Sequence, residues 1–203
     1  PKPLAETTGV WVDGRIHLIT GRSPKAEANG NWQDQGDVDW HWSWSPADGS
    51  WQEMKPCPMA RNSAAAAVLD GMIYVAGGRT VSGGGTGRLD RYDSGTDQWE
   101  TLAPIPLSPS QGQQVGGGLA MAAAGGKLVA FGGEWFARGG GGGVFPETWI
   151  YDPRADRWDA GPPMRTPRHG LAAVALADTV YAIAGGEVVS GGRAGPVLET
   201  LQL

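Results

Sequence analysis

The chain has 203 residues, of which 40% are hydrophobic, only 18% are charged and ten are tryptophan. Glycine (34 residues) and proline (15 residues) are abundant, but a chain with this much apolar and aromatic side chain buries a core rather than staying disordered. A net charge of −5 without a Lys/Arg cluster argues against nucleic acid as a partner. No apolar run is long enough for a membrane span, so we expect no membrane partner.

Cys57 is the single cysteine, which excludes an intramolecular disulfide framework and leaves the redox compartment open. The Ala/Gly/Arg-rich composition is typical of a bacterial protein with GC-rich DNA. The N-terminal residues carry neither Met nor signal-peptide character. We expect either the bacterial cytoplasm, or the periplasm or exterior after removal of a signal.

Four stretches share one pattern: an apolar run, a two-residue turn, a second apolar run and a glycine pair. Alternating apolar residues around a tight turn predict a β-hairpin. Adjacent glycines let two backbones approach where side chains would collide. The first residues of the pairs are assigned to Thr20, Gly77, Gly132 and Gly185, at intervals of 57, 55 and 53 residues.

The second half of each period contains two aromatic residues seven positions apart, followed by a proline-rich turn. The second and third copies read "YDSGTDQW" and "YDPRADRW". Large aromatic side chains are suited to fill the wedge between neighbouring sheets. A sheet of about 50 residues cannot bury both its faces alone, so it stacks against its own copies. The pairs are Trp44 and Trp51, Tyr92 and Trp99, and Tyr151 and Trp158.

This combination of an apolar run, Gly-Gly, Tyr-Asp, a tryptophan and a Pro/Met turn resembles the kelch repeat. The resemblance covers essentially the whole chain. It implies an all-β fold: a β-propeller of four-stranded antiparallel blades, with the innermost strands around a channel and loops on two faces. We expect a single domain, residues 1–203, with modules at approximately 1–56, 57–104, 105–163 and 164–203.

The last module is shorter than the others. Aligning Glu199-Thr200 with Glu147-Thr148 places Leu203 at the Tyr151 position, so the fourth blade is expected to lack its outer strand. Residues 1–3 are too short to supply one. We therefore expect that these blades belong to a larger ring, or that self-association covers the open blade edges.

Two unusual segments lie within the repeats. Trp40, Trp42 and Trp44 alternate along one predicted strand, which favours core or inter-blade packing over an exposed aromatic shelf with Trp32 or Trp135. The glycine-rich loop at residues 139–143 is expected to be mobile rather than a phosphate site, because no Gly-Lys-Ser/Thr follows it.

The resemblance implies that ligands and partner peptides meet the loops around one mouth of the channel. These loops carry arginine, whose planar fork suits a carboxylate, together with acidic and hydrogen-bonding side chains. Such residues either form structural salt bridges between blades or bind a ligand. The candidates are Arg22, Arg61, Asn62, Arg79, Glu134, Arg168, His169 and Glu187.

The predicted function is a non-enzymatic recognition or scaffold module that binds a protein, a peptide or a small carbohydrate-like ligand. The alternative is a carbohydrate-modifying enzyme resembling a sialic-acid epimerase or mutarotase, with Glu134, Glu187, Arg168 and His169 as acids, bases and anchor. A copper radical oxidase is disfavoured because all four tyrosines occupy packing positions of the repeat. No metal or cofactor is expected.

Overall fold

The structure is a computed structural model that describes residues 2–203. Pro1, part of the segment considered too short for a strand, lies outside the described residues. Among the described residues the only helix is a single 3-10 turn, Trp32–Asp34, and none could cross a lipid bilayer. The strands are β1 (Thr8–Val12), β2 (Arg15–Pro24), β3 (Gln35–Trp44), β4 (Trp51–Glu53), β5 (Ala65–Leu69), β6 (Met72–Ala76), β7 (Leu89–Asp93), β8 (Gln98–Leu102), β9 (Leu119–Ala124), β10 (Lys127–Gly132), β11 (Glu134–Phe136), β12 (Gly142–Val144), β13 (Thr148–Asp152), β14 (Arg157–Ala160), β15 (Ala172–Leu176), β16 (Thr179–Ile183), β17 (Gly186–Val188), β18 (Gly192–Ala194) and β19 (Leu198–Gln202).

Four antiparallel sheets are arranged as a four-bladed propeller. Blade 1 has the order β1-β2-β3-β4, blade 2 β5-β6-β7-β8, and blade 3 β9-β10-β13-β14. Blade 4 has only three strands, β15-β16-β19. The hairpins β11-β12 and β17-β18 are inserted between the second and third strands of blades 3 and 4. The predicted all-β propeller, with a last blade that lacks its outer strand, is confirmed.

The glycine pair at the end of each second strand requires glycine at its second position only. Gly21, Gly78, Gly133 and Gly185 have φ of +124°, +96°, +101° and +99°, a region that L side chains rarely adopt. A Cβ on Gly78 or Gly185 would lie 2.8 Å from a backbone carbonyl oxygen. The first position tolerates other residues, because Thr20 and Ala184 adopt the ordinary left-handed conformation there.

This geometry corrects the alignment of the fourth module. Its left-handed pair is Ala184–Gly185, so Gly185 is the second member of the pair and not the first. The residue equivalent to Arg22 and Arg79 is therefore Gly186, which forms the same bridge to the preceding loop. In this blade the Gly-Gly sequence, Gly185–Gly186, therefore begins one residue after the start of the left-handed pair.

The end of the chain is also shifted relative to the sequence alignment. Leu201 pairs with Val180, as Tyr151 pairs with Leu128 in blade 3. Leu201 therefore occupies the tyrosine position, and the assignment to Leu203 is wrong. A slip of two residues keeps every side chain on its own face of the sheet, so the alternation of side chains could not exclude it.

The core lies between blades. One face of each blade packs on the opposite face of the next blade, and three apolar clusters fill the three junctions. At the third junction, Ala122, Val129 and Phe131 of blade 3 meet Val180 and Ala182 of blade 4. Burying apolar area at each junction contributes about 25 cal/mol per Å², which is why the blades are stable together.

The succession of blades is open. Strands β1, β5, β9 and β15 pack on one another in order, and no comparable packing joins blade 4 to blade 1 within residues 2–203. The outward face of blade 1 exposes 56% of Trp11, and that of blade 4 exposes 66% of Leu176. Trp40 and Trp42 stack on each other, 5.2 Å between ring centroids, on this open face of blade 1, with His41 on the other side.

The outer hairpins of blades 2 and 3 each make two hydrogen bonds to one backbone residue that follows the outer strand of the preceding blade. Trp99 Nε1 donates to the carbonyl of Lys55 at 2.8 Å, and the Lys55 N–H donates to Asp97 at 2.9 Å. Trp158 and Asp156 hold Ala103 in the same way, at 2.8 and 2.9 Å. We call this arrangement the outer clamp.

A tyrosine supports the aspartate of each outer clamp. The hydroxyls of Tyr92 and Tyr151 donate to Asp97 and Asp156 at 2.7 Å. Burial raises the pKa of both tyrosines, and their hydrogen bonds to aspartate raise it further. Both hydroxyls therefore stay protonated and able to donate at any physiological pH.

A buried histidine pair fills the junction between blades 1 and 2. His17 Nδ1 lies 2.8 Å from His41 Nε2, and both side chains are almost fully buried. The Tyr92 ring meets His41 edge-on, with 4.5 Å between centroids. Burial, together with the adjacent His17, lowers the pKa of His41 to about 4. The pair is therefore neutral and shares one proton between the facing nitrogens.

Acidification should destabilise the protein through this pair. The unfolded chain binds a proton at His41 near pH 6.5, whereas the folded chain does so only near pH 4. Stability is therefore intact above pH 6.5 and is lost as the pH falls towards 4, by about 3 kcal/mol at most. Urea unfolding of the wild type and of His41→Gln across this range measures it. Equal pH dependence in both proteins would contradict the prediction.

Removing the aspartate of an outer clamp should weaken blade packing. Asp156→Gly keeps the left-handed backbone (φ +45°) but loses bonds to Ala103 and Tyr151. We expect a loss of about 2 kcal/mol in the free energy of unfolding. Asp70→Gly is the matched control, because Asp70 has φ +51° in an exposed hairpin turn. Equal stability changes in the two variants would show that the clamp contributes nothing.

Candidate functional site

The mouth is built on a continuous arc of backbone hydrogen bonds between blades. The N–H of Ser63 donates to Glu6 O at 2.9 Å, that of Gly118 to Ser63 O at 3.0 Å, and that of Gly170 to Gly118 O at 2.7 Å. All four residues have positive φ. Each occupies the same position before the first strand of its blade, so the loops that carry the candidate residues are held in fixed register.

Two arginines converge on Glu6 at this mouth. Arg22 and Arg79 follow the glycine pairs of blades 1 and 2, and their backbones bridge to Ala5 and Asn62. Arg22 Nη2 lies 3.1 Å from Glu6 Oε1, and Arg79 Nη2 lies 3.3 Å from Glu6 Oε2. One carboxylate therefore joins the equivalent arginines of neighbouring blades.

Arg79 also reaches the third blade. Its Nη1 lies 2.5 Å from Glu134 Oε1, and its Nε donates to Asn62 Oδ1 at 3.2 Å. Glu134 Oε2 lies 3.5 Å from His169 Nδ1 and accepts the Ser190 N–H at 2.9 Å. The structure thus brings together Glu6, Arg22, Arg79, Glu134 and His169, which we call the mouth network.

Trp32, in the long insertion of blade 1, covers the two arginines. The guanidinium carbons of Arg22 and Arg79 lie 4.6 and 4.9 Å from its ring centroid. Its Nε1 donates to Val81 O at 2.9 Å, and Asp37 fixes the Val81 N–H at 2.8 Å. Trp32 therefore belongs to the mouth and does not join the Trp40 and Trp42 stack.

Ser63 and the two arginines keep Glu6 ionised. Burial raises the pKa of Glu6, but the hydrogen bond from Ser63 and the charges of Arg79 and Arg22 outweigh it and hold the pKa below its usual value. The mouth network therefore contains the ionised carboxylate of Glu6 beside two guanidinium groups. A charged ligand must fit this alternation of signs.

Two cavities open beside Arg79. The larger, of about 590 Å³, is lined by Glu6, Arg22, Trp32, Arg79, Glu134 and Phe136, among others. The smaller, of about 220 Å³, shares Arg79 and Glu134 and is closed by Trp135 and the loop around Arg138. The lining of the two cavities combines charged groups with the aromatic residues Trp32, Trp135 and Phe136.

Arg61 and Arg168 do not reach the mouth. Arg61 is fully buried and lies 2.9 Å from Asp90, while its Nη2 donates to Val75 O at 3.1 Å. Arg168 is fully buried too, donates to Val197 O at 2.8 Å and lies 3.8 Å from Glu199. The structure therefore places both at equivalent structural positions, each next to the acidic residue of its own third strand.

Asn62 is buried but contacts the mouth network. It accepts from Arg79 and donates to Asp37 Oδ1 at 2.6 Å. Asp37 was not singled out from the sequence, because it lies in an insertion that no other module contains. Without a repeat equivalent, neither Asp37 nor the position of Trp32 could be inferred.

The four residues of the carbohydrate-modifying alternative are not assembled. Glu187 is exposed and follows Gly186, which is the residue equivalent to Arg22 and Arg79. Arg168 is buried inside blade 4. Only Glu134 and His169 lie together, with 3.5 Å between Oε2 and Nδ1. Glu134 is also held by Arg79, and His169 Nε2 lies 3.0 Å from Val188 O and 3.2 Å from the Gly191 nitrogen.

Comparison with known proteins agrees with this architecture. The family model described as Kelch motif matches residues 60–106 and 116–165. The solved structure of YjhT superposes with a TM-score of 0.73 at 14% identity, covering 99% of this chain and 82% of that chain, which shows a shared fold.

Curated relatives are similar over most of the chain. Kelch-like protein terF of Aspergillus terreus is 28% identical over 99% of this chain, and Beta-scruin of Limulus polyphemus is 26% identical over 90%. Kelch-like protein 26 of Mus musculus is 33% identical over 71%. The chain spans 42%, 19% and 22% of the length of these relatives, respectively. Kelch-repeat proteins generally mediate protein interactions.

The repeated glycine pairs, the Tyr–Trp clamps, the propeller of four-stranded sheets and these matches lead to one conclusion: the chain belongs to the kelch-repeat family.

Proposed function

We propose that this protein is a recognition module that binds an acidic segment of a protein partner at the mouth network. The observation that supports this most directly is the pair of half-buried arginines, Arg22 and Arg79, beside a cavity of about 590 Å³. Guanidinium groups bind carboxylates through two parallel hydrogen bonds. Salt bridges to Glu6 and Glu134 hold both groups in place before a ligand arrives.

The hydrogen-bonding capacity of Arg22 is not exhausted. Arg22 makes one salt bridge, to Glu6, and its buried Nε has no partner within the described residues. A buried donor without an acceptor is costly. A ligand carboxylate that approaches Arg22 satisfies donors that the protein leaves free, and competes with Glu6 for the same guanidinium.

The walls of the mouth favour a peptide over an isolated anion. Trp32 stacks on the arginines, and Phe136, 48% exposed, also lines the cavity. Aromatic side chains supply contact area with little loss of entropy on binding. The ligand that fits is an extended segment with an Asp or Glu next to an apolar residue.

The open faces of the first and last blades support a second proposal, self-association. Blade 4 exposes Val174, Leu176 and Leu198 on the face that blades 1 to 3 use to cover their neighbours. Blade 1 exposes Trp11 and Trp51 on the complementary face. Contact between the last blade of one copy and the first blade of another repeats a junction that the chain already forms three times.

The binding proposal predicts opposite effects for Arg79→Ala and Glu6→Gln. Peptides selected from a phage-displayed random library should be enriched in Asp and Glu, and Arg79→Ala should weaken their binding about tenfold or more. Calorimetry with the selected peptides measures the affinity. Glu6→Gln should tighten binding, since it removes the internal competitor but can keep a hydrogen bond to Ser63.

Arg61→Ala is the matched control for this experiment. It should lower the free energy of unfolding by about 4 kcal/mol, because it leaves Asp90 buried without its partner, while the folded fraction binds peptide normally. Selected peptides without acidic residues, or binding unaffected by both Arg22→Ala and Arg79→Ala, would refute the mouth as an acidic-peptide site.

Self-association should depend on the open face of blade 4. Sedimentation velocity should show larger species as the protein concentration rises, and Leu176→Asp should abolish them without loss of stability, since 66% of that side chain is exposed. Leu107→Asp is the control, because Leu107 is 53% exposed in a loop outside both faces. Unchanged association in Leu176→Asp would rule out this interface.

A further inference from the structure

Gly117 lies against the side chain of Arg79 at the mouth. The three atoms nearest to a Cβ added at Gly117 are Cδ, Nε and Cγ of Arg79, at 2.8, 2.9 and 3.0 Å. Carbon atoms that are not bonded to each other pack at about 3.5–4.0 Å, so a side chain at this position displaces Arg79. The φ of Gly117 lies outside the left-handed region, so its own backbone conformation admits other residues.

The preceding glycine shows a different constraint. A Cβ on Gly116 would overlap the backbone carbonyl oxygen of Glu134. That oxygen belongs to a strand and cannot turn aside, whereas an arginine side chain has several rotatable bonds. Gly116 is therefore required by the fold, and Gly117 is required by the position of one side chain from the neighbouring blade.

The repeat shows what stands at this position in the other blades. The carbonyl of Gly117 accepts a hydrogen bond at 3.0 Å from the N–H of Glu134, the residue after the glycine pair of blade 3. In the other blades the residue after the pair donates to a residue that has a side chain, so the backbone at this position is compatible with one. These acceptors are Ala5, Asn62 and His169, which receive the N–H groups of Arg22, Arg79 and Gly186.

The absence of a side chain at Gly117 coincides with the path of Arg79 across the junction. Arg22 is equivalent to Arg79, yet it forms a salt bridge only with Glu6 of its own blade. In the blade that follows Arg22, the position is filled by the buried side chain of Asn62. In the blade that follows Arg79 the position is a glycine, and Arg79 extends over it to reach Glu134.

We propose that Gly117 is a positioning residue of the mouth network, whose missing side chain holds Arg79 between Glu6 and Glu134. Arg79 bonds to Glu6, Asn62 and Glu134 through three different nitrogen atoms, Nη2, Nε and Nη1. All three are carried by the stem that lies against Gly117. A side chain at residue 117 moves that stem and separates the guanidinium from both carboxylates.

The position of Arg79 determines which charge the mouth accepts. With Arg79 in place, two guanidinium groups face the larger cavity beside Glu6 and Glu134. With Arg79 displaced, the two acidic side chains keep fewer cationic partners, and an acidic ligand meets like charge. This consequence rests on the function proposed for the mouth network, whereas the contact between Gly117 and Arg79 does not.

A double-mutant cycle tests the positioning role without any ligand. Gly117→Ala should lower the urea midpoint of unfolding in the wild type but not in an Arg79→Ala background, because the atoms that meet the new methyl group are then absent. Gly84→Ala is the matched control. Gly84 lines the same smaller cavity, and a Cβ there would have no atom within 4 Å, so its effect should be equal in both backgrounds.

The cycle remains decisive if Gly117→Ala does not fold. Recovery of folding when Arg79→Ala is added would support the proposal, since only the arginine has been removed. Equal effects of Gly117→Ala in both backgrounds, or failure to fold in both, would overturn it by showing that the backbone requires the glycine. Where Gly117→Ala folds, its crystal structure should show Arg79 Nη1 away from Glu134, and unchanged contacts would also overturn it.

Peptide binding tests the consequence for recognition. The acidic peptides selected with the wild type should bind Gly117→Ala about tenfold more weakly and Gly84→Ala equally well. Adding Gly117→Ala to Arg79→Ala should cause no further loss, whereas general damage to the mouth would weaken binding in both backgrounds. Undiminished binding to Gly117→Ala would refute the role of Gly117 in recognition and leave the proposed function standing. Failure to select acidic peptides would refute that function, and the unfolding cycle would still decide whether Gly117 positions Arg79.

Discussion

Every blade has two apolar faces and can bury neither by itself. The chain solves this by repeating the same sheet, so that one face of each blade covers the opposite face of the next. The requirement explains the aromatic pairs, the outer clamps and the period of the sequence. It also explains why the first and last blades, which have a neighbour on one side only, expose Trp11 and Leu176.

Stacking the sheets also creates the mouth. When equivalent blades pack in register, their left-handed residues before the first strands, from Glu6 to Gly170, fall into one arc of hydrogen bonds. The residues after the glycine pairs are then neighbours in space, although more than fifty positions separate them in the chain. Arg22, Arg79 and Glu134 meet for this reason, and a rigid scaffold presents them to a ligand on loops.

The repeat predicted the fold because hydrophobic alternation, glycine pairs and aromatic spacing report directly on sheet packing. The site was predicted only in part, because sequence position gives the loop but not the direction of a side chain. Arg61 and Arg79 both lie in mouth loops, yet Arg61 turns inward to Asp90 and Arg79 turns to the channel mouth. Glu187 was assigned to the position after the glycine pair, but the backbone requires glycine only at the second position of that pair. In blade 4 the pair is Ala184–Gly185, so Gly186 takes the position assigned to Glu187.

Native-state hydrogen exchange tests most directly the claim that neighbouring blades and strands protect one another and that blade 4 ends on a free edge. The amides of Glu199 and Leu201, which face β16, should exchange slowly, and those of Thr200 and Gln202 should exchange at rates close to those of exposed loops. The equivalent outward amides of β7, Arg91 and Asp93, should be protected by β8. Equal protection of the outward amides in both blades would contradict the account.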